Sequence, residues 1–227
     1  MLAVCATAKE MNSTEFSSLL LSRATAARLS VDENLLDRLG TYFKLLAHWN
    51  ARINLTGFSL EQPTAHSIDR LFIEPLQIAR TLTYPLDVWL DLGSGGGSPA
   101  IPIQLYRPAN LLVLVESRGR KAAFLREVAR ELHLTEVEVE VIRIESIIPS
   151  YRLAGKADLV TVRAVRPSIA MFVAVRNLLQ TGGRVALIGS KTDELVVPAG
   201  FQVAPTIQFA PGESLVMLSK SEPVGSN

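Results

Sequence analysis

The chain has 227 residues, 48% of them hydrophobic, and a formal net charge of +1 at neutral pH. This length fits one α/β domain with a modest extension, and the composition excludes a largely disordered chain. No apolar run reaches the ~18 residues that a membrane helix needs. The chain also lacks the overall basic balance of a dedicated nucleic-acid binder, so any RNA contact must use a local patch.

The first segment, Met1–Glu10, lacks the basic start and long apolar core of a signal peptide, so we expect a cytoplasmic protein. Cys5 is the only cysteine, which excludes an internal disulfide and a cysteine cluster for zinc. Residues 1–13 are expected to form a disordered lead. No membrane and no metal are expected among the partners.

Residues 14–85 are predicted to form a helical extension packed on the core. Residues 14–29 carry apolar side chains at helical spacing, and Ser30–Glu33 matches a capping box before a second apolar stripe. On a further predicted helix, His66 and Asp69 are three residues apart and share a face. We expect them to form a hydrogen-bonded pair that ties the extension to the ligand-binding edge of the domain.

Residues 86–220 change to alternating strands and helices, which predicts a doubly wound, Rossmann-like α/β sheet with mostly parallel strands. The last two strands lack a helix between them and are predicted to pair antiparallel around Pro211-Gly212. Residues 221–227 are assigned to a tail. The predicted strands are 88–92, 111–115, 137–142, 157–162, 184–188, 201–208 and 214–219, and the predicted helices among them are 99–106, 120–132 and 168–179.

The strongest motif is the glycine-rich loop Asp91–Ser98, which lies between the first strand and the next helix. In an open α/β sheet, ligands bind at the carboxyl ends of the strands near the switch in strand order. Glycines let the backbone approach a ligand without a Cβ in the way. Glu116 ends the next strand, where a carboxylate can accept hydrogen bonds from both ribose hydroxyls. The pattern therefore predicts a nucleoside site.

Two cofactors compete for this site. A dinucleotide loop requires G-x-G-x-x-G, and Ser98 stands at the third glycine position. The spacing Asp-x-Gly-x-Gly-x-Gly is instead similar to the first motif of Class I methyltransferases, in which Asp91 could bond the methionyl ammonium directly or through water. Glu116 suits both cofactors and does not choose between them.

Further motifs occur in a characteristic order, and together they resemble the glucose-inhibited division protein B family. That family consists of bacterial 16S ribosomal RNA methyltransferases that modify guanine at nitrogen seven. The resemblance covers residues 30–190 and implies a Class I methyltransferase fold, S-adenosyl-L-methionine as cofactor, and small-subunit RNA or its assembly particle as partner. The motifs are Trp49-Asn50, Asn54–Thr56, His66–Asp69, the glycine loop, Ile101-Pro102, Arg118–Val128, Arg143–Glu145 and Val162–Ala164.

The resemblance also implies roles for individual residues. The glycine loop borders the cofactor, Glu116 binds the ribose, Ile144 and Glu145 flank the adenine, and Arg163 lies by the cofactor and the target base in a positioning role. The cofactor-binding set is then Asp91, Gly93, Gly95, Ser98, Glu116, Ile144, Glu145 and Arg163.

Three positions depart from the family pattern. Ser98 replaces a larger apolar residue, Arg70 replaces a serine, and Ile188 replaces a lysine, with Lys191 three positions away. These departures leave open a diverged methyltransferase-fold protein with another substrate. Two further alternatives remain, a nicotinamide-dependent oxidoreductase and a non-catalytic relative that binds RNA or protein.

The implied reaction needs few catalytic groups. Guanine nitrogen seven carries an in-plane lone pair, so no general base has to remove a proton, and catalysis can be mainly placement of donor and acceptor. A basic cluster on the helix after Glu116 could bind phosphates, although with Glu127 and Glu131 interleaved it could equally be an ordinary solvated face. The cluster is Arg118, Arg120, Lys121, Arg126 and Arg130.

Overall fold

A mixed sheet forms the centre of the computed structural model, which describes residues 12–165, 168–189, 196–210 and 213–221. Its strands are β1 (Val88–Leu92), β2 (Leu111–Val115), β3 (Val137–Glu140), β4 (Ala157–Arg163), β5 (Leu179–Ile188), β6 (Phe201–Val203), β7 (Ile207–Ala210) and β8 (Glu213–Lys220).

The strand order confirms the predicted topology. It runs β3-β2-β1-β4-β5-β8-β6, with β7 also paired to β8. The pairs β1–β2, β1–β4, β2–β3 and β4–β5 are parallel, whereas β8 pairs antiparallel with β5, β6 and β7. The order reverses between β1 and β4, and such a switch point opens a crevice at the carboxyl ends of the strands.

Helices cover both faces of the sheet, which explains why β1 and β2 are apolar runs rather than alternating ones. Trp89 points into the layer with α5 (Ala100–Tyr106) and α6 (Gly119–Glu131), while Leu90 and Leu92 point into the layer with α7 (Ile169–Leu178). Helix α7 begins after Ser168, whose hydroxyl accepts a hydrogen bond from the Met171 N–H at 3.1 Å.

The residues before β1 form helices that pack on the α5–α6 face and share its core. Phe16 stacks on Phe43 with ring centroids 4.3 Å apart, and Phe72 meets Phe16 edge-on at 5.3 Å. The elements are α1 (Ser13–Ala26), α2 (Glu33–Asn50), α3 (Ala65–Ile68), a π-helical turn (Asp69–Ile73) and α4 (Glu74–Thr81). None of the helices in the described ranges is long and apolar enough to cross a bilayer.

The predicted capping box at Ser30–Glu33 is wrong. Helix α2 begins at Glu33, so Ser30 lies too early, and Asp32 is the cap, accepting a hydrogen bond from the Leu35 N–H at 2.8 Å. A capping box is instead present on α1, where Asn12 and Glu15 each accept from the other's backbone N–H at 2.9 Å. The sequence alone provided no basis for choosing which of these polar side chains caps each helix.

The carboxyl-terminal strands also differ from their predicted bounds. Strand β5 starts at Leu179 and runs through Gly182-Gly183, so it begins five residues before the predicted strand 184–188. A Cβ on Gly183 would lie 2.5 Å from the Ala157 carbonyl oxygen, so glycine here permits close approach of β4. The predicted strand 201–208 is split into β6 and β7, and β3 ends two residues early.

Several predicted features fall on residues that the structure does not describe. Residues 1–11, with Cys5 among them, lie outside the described ranges. So do Lys191, the Pro211-Gly212 turn and residues 222–227.

The aromatic contacts predict that α1 is an integral part of the fold. Phe16 is 1% exposed, so Phe16→Ala should lower the free energy of unfolding by about 3–5 kcal/mol through lost transfer energy and a cavity. Leu21 on the same helix is 40% exposed, so Leu21→Ala should change it by less than about 0.5 kcal/mol. Urea denaturation measures both, and equal losses would contradict the docking of α1.

Candidate active site

The glycine loop leaves β1 and turns back over the end of β2. Leu92 lies beside Val115 in the parallel register, and the Gly93 N–H donates to the Val115 carbonyl at 2.8 Å. The Gly95 N–H then donates to Glu116 Oε2 at 2.9 Å, with Gly95 at φ +53°. A left-handed φ of this kind favours glycine, so the loop sequence allows the amide to face the carboxylate.

Glu116 is 6% exposed and is fixed by the backbone on both sides. Its Oε1 accepts the Arg118 N–H at 2.8 Å, while Oε2 accepts the Gly95 N–H. A carboxylate has about four lone-pair sites, so each oxygen keeps acceptor capacity for a ligand. The structure therefore brings the loop and the distal acid together, as the sequence predicted.

Two cavities meet at this carboxylate, and both are lined by Gly93, Glu116 and Arg118. The first, of about 510 Å³, also contains Ser98 and Arg163 in its lining. The second, of about 450 Å³, is closed by Ile142–Glu145, which includes the predicted adenine neighbours Ile144 and Glu145. The predicted site residues thus line two adjacent cavities that share Gly93, Glu116 and Arg118, with Asp91 as the exception.

Asp91 lies beneath the loop and lines neither cavity. It is 2% exposed and accepts a hydrogen bond from the Thr161 hydroxyl at 2.5 Å, and Thr161 in turn accepts from the Trp89 indole N–H at 2.9 Å. Burial raises the pKa of the Asp91 carboxyl to about 6. The side chain therefore supports the floor of the loop from within the sheet.

The helical extension holds the loop from the other side. The buried Tyr42 hydroxyl donates to the Gly96 carbonyl at 2.6 Å, and burial raises its pKa, so it donates as a neutral phenol. Asn50 Oδ1 accepts the N–H groups of Leu55 and Thr56, each at 2.9 Å. A Cβ on Gly96 would lie only 3.0 Å from the Leu55 carbonyl oxygen. Asn50 therefore fixes the Leu55-Thr56 turn, which packs against the loop at Gly96.

Arg163 is held on the wall of the first cavity. Its Nη1 donates to Ser98 Oγ at 2.9 Å, and Ser98 Oγ donates to the Leu71 carbonyl at 2.9 Å. Its Nη2 lies 3.8 Å from Oε2 of Glu74, which is 3% exposed. Arg70 Nη1 donates to the same Glu74 oxygen. A buried acid therefore neutralises part of the charge of two arginines that face the cavity.

The three departures from the family pattern lie close to one another. Ser98 and Arg70 line the same cavity. A Cβ on Gly189, the residue after Ile188, would lie 3.4 Å from Arg70 Nη2. Ile188 is buried and lies beside Arg163 in the β4–β5 register, so it does not line the cavity itself. The sequence signalled the three positions separately but did not show that they lie around Arg163.

The predicted basic cluster divides into two groups. Arg118 and Lys121 line the first cavity. Arg126 donates to the Val139 carbonyl at 3.2 Å, and Arg130 pairs with Glu131 at 2.9 Å, away from the cavities. Only Arg118 and Lys121 of the predicted cluster therefore lie where they can contact a ligand in the first cavity, whereas Arg120, Arg126 and Arg130 line neither cavity.

The predicted His66–Asp69 pair is wrong. Asp69 accepts from Arg23 on α1 at 2.8 Å and 2.5 Å, and the His66 ring lies edge-on to Phe58 at 5.6 Å. Helical spacing put the two residues on one face but did not exclude the longer arginine from another helix. Within the ranges that the structure describes, no group of three or more His, Cys, Asp or Glu side chains is arranged to hold a metal.

Tyr42, Thr161 and Glu74 are site-supporting residues that sequence reasoning missed. Tyr42 contacts Gly96 from 54 positions away, Thr161 contacts Asp91 from 70, and Glu74 contacts Arg163 from 89. None of the three belongs to a short motif of its own. A polar side chain inside an apolar helix or strand was the available signal, as for Thr161 in the middle of β4.

The buried Asp91 gives a prediction about pH. Its pKa in the folded protein lies above the ordinary value of 3.8, so the unfolded chain ionises first and folding loses stability as the pH rises from about 4 to about 6. Relative to Asp91→Asn, the wild-type free energy of unfolding should fall by an amount on the order of 3 kcal/mol across that window. Urea denaturation at several pH values tests this without ligand, and parallel curves would contradict it.

Solved structures share this fold. A putative methyltransferase from Escherichia coli, yhhF, gives a TM-score of 0.53 at 15% identity and covers 65% of this chain and 82% of its own. A SAM-dependent methyltransferase from Aquifex aeolicus gives a TM-score of 0.50 at 15% identity and covers 67% of this chain and 92% of its own.

Sequence relatives are much more similar. Residues 35–199 match the GidB family, described as rRNA small subunit methyltransferase G. The ribosomal RNA small subunit methyltransferase G of Roseiflexus castenholzii is 33% identical over 186 residues, covering 82% of this chain and 78% of the relative. The protein of the same name from Chloroflexus aggregans is 33% identical over 221 residues, covering 92% of this chain and 91% of the relative. The chain belongs to the GidB family of small-subunit rRNA methyltransferases, whose enzymes use S-adenosylmethionine.

Proposed function

We propose that this chain transfers a methyl group from S-adenosylmethionine to nitrogen seven of a guanine in small-subunit ribosomal RNA. The observation that carries the proposal is the buried Glu116 carboxylate, which is hydrogen-bonded to the glycine loop where two cavities meet. Family membership supplies the RNA substrate class. We assign the cytoplasm as the place of action, because the proposed partner is ribosomal RNA or its assembly particle.

The crevice suits a nucleoside that carries an amino-acid arm. Both Glu116 oxygens keep acceptor capacity for the two ribose hydroxyls, and a buried hydrogen bond of this kind is stronger than one in water. We assign the adenine to the second cavity, between Ile142 and Glu145, and the methionyl arm to the first cavity beside Gly93 and Gly95. A side chain on Gly96 would press on the Leu55 carbonyl, so the turn would have to shift to accommodate one.

The chemistry is mainly a matter of placement. S-adenosylmethionine, when bound, supplies a methyl group on a positively charged sulfur. Guanine nitrogen seven offers a free lone pair, so the chain needs to orient the base rather than deprotonate it. We assign that orientation to Arg163, whose guanidinium lines the cavity and is braced by Ser98 and Glu74. Its donors suit the guanine oxygen or the adjacent phosphate.

The nicotinamide alternative is not favoured. A dinucleotide loop needs glycine at the position of Ser98 so that the helix after the loop can pack closely on the strand. Here the Ser98 side chain is present and bridges Leu71 and Arg163. The family match points the same way.

The whole proposal is tested by offering labelled S-adenosylmethionine with unmethylated small-subunit RNA and with small-subunit particles, then mapping the modified base. N7-methylguanine at one position is expected. Calorimetric binding of NAD without binding of S-adenosylmethionine, or the absence of methyl incorporation into either substrate, would overturn the proposal.

The role of Glu116 predicts a binding defect. In Glu116→Gln, an amide NH₂ replaces one acceptor oxygen and meets a backbone N–H, so the affinity for S-adenosylmethionine should fall at least ~10-fold, by loss of charge-assisted bonds. Glu140, which ends β3 and accepts from Tyr151 and Arg152, lines neither cavity and serves as the control. Calorimetry should find wild-type affinity in Glu140→Gln, and wild-type affinity in both variants would remove Glu116 from the site.

Arg163 is predicted to affect turnover more than cofactor binding. In Arg163→Ala the base loses its positioning group, so kcat should fall roughly 100-fold while the Kd of S-adenosylmethionine changes by less than about twofold. Arg126→Ala, on the outer face of α6, is the control and should keep the wild-type kcat. A full rate in Arg163→Ala would contradict the positioning role.

A further inference from the structure

A third cavity, of about 670 Å³, lies beside the cofactor cavities along α2. Its size is within the range of ligand pockets, roughly 300–1,000 Å³. One wall is the carboxyl-terminal part of α2 and the turn after it, and the other is Phe58–Glu61. Phe58 lines both this cavity and the first cofactor cavity, so the two are adjacent at its ring. We call this third cavity the α2 groove.

The α2 groove carries a row of basic side chains. Lys44, His48 and Arg52 follow one another at four-residue spacing, so they lie on the same side of the helix and its end. All three are exposed, and His48 Nε2 is hydrogen-bonded to Arg52 Nη1, which holds ring and guanidinium side by side. Glu61 is the acid on the facing wall. The groove has the charge of a site for phosphates, flanked by an aromatic ring.

We infer that the α2 groove binds the single-stranded RNA that flanks the target guanine, with Lys44 and Arg52 on its phosphates and Phe58 beside a base at the entrance to the cofactor cavity. The inference rests on the proposed function and adds a route for the substrate. Basic grooves with aromatic platforms bind single strands in this way. The half-buried Phe58 ring is held edge-on against His66, so it offers a fixed surface for stacking.

The decisive measurement is the salt dependence of RNA binding. In the double variant Lys44→Gln/Arg52→Gln, two phosphate contacts are lost, so the slope of log affinity against log salt should become shallower by about 1.4, at about 0.7 per contact. The substrate is the unmethylated small-subunit RNA used above. The KM for RNA should rise at moderate salt, and the Kd of S-adenosylmethionine should stay within about twofold.

The matched control removes the same charge elsewhere. Lys156 precedes β4 and Arg176 lies on α7, on the other face of the sheet, and both are exposed. Lys156→Gln/Arg176→Gln should keep the wild-type slope and KM. An equal loss in this control would show a non-specific charge effect and overturn the assignment.

A variant expected to strengthen RNA binding excludes misfolding as the cause of a binding defect. Glu61→Gln removes a negative charge from the groove and should strengthen RNA binding by about twofold at low salt, an effect expected for one exposed charge. Phe58→Ala should weaken RNA binding by about tenfold through lost stacking.

Three outcomes would overturn the inference. They are an unchanged salt slope in Lys44→Gln/Arg52→Gln, weaker RNA binding in Glu61→Gln, and a defect of the double variant on particles but not on naked RNA, which would assign the groove to a protein of the particle. Each of these leaves methyl transfer by the wild-type chain intact. Failure of the wild-type chain to methylate RNA would instead overturn the proposed function.

Discussion

The hydrogen bond from the Gly95 N–H to Glu116 is the contact on which the crevice depends. It closes the loop after β1 onto the tip of β2, and the parallel register of those strands brings the two groups within reach. The same carboxylate is fixed by the Arg118 N–H at the start of α6. Because backbone groups hold the acid, its position does not rely on flexible side chains, and the two cavities keep a common corner.

The rest of the site is completed by the helices that precede the sheet. Tyr42 bonds the loop backbone, Asn50 shapes the turn that presses on Gly96, and Glu74 braces Arg163. A buried acid needs a compensating positive charge, and both Arg70 and Arg163 supply one to Glu74. Arg70 and Ser98 therefore make sense as a local solution that holds Arg163 in place.

Sequence reasoning succeeded where the signal was local. The apolar strand Val88–Leu92, the glycine loop and the acid at Glu116 lie within 30 positions of each other, and periodicity and turn chemistry fix their order in space. It failed where two side chains competed for one role. Ser30 and Asp32 were both able to cap α2, and Asp69 had both His66 and the distant Arg23 within reach.

A second limit was the distance along the chain. Tyr42 and Glu74 reach the loop and β4 through tertiary packing, which no short pattern in the sequence encodes. Glycine was also ambiguous, because Gly183 allows two strands to approach closely, whereas glycines of similar appearance in the loop adopt left-handed backbone angles. Glycine is therefore required for two different physical reasons at these positions, and the sequence alone does not distinguish them.

Helix α2 borders both the cofactor loop and the α2 groove. From one side of its 18 residues, Tyr42 holds the cofactor loop, and from another, Lys44 and His48 border the outer groove. If RNA in the groove shifts α2, the same shift moves Tyr42 and the cofactor loop that it holds, so the two proposed sites would be linked through one helix. Such linkage is reciprocal. Binding in the α2 groove and binding in the cofactor cavities would thus alter each other's affinity without a moving domain.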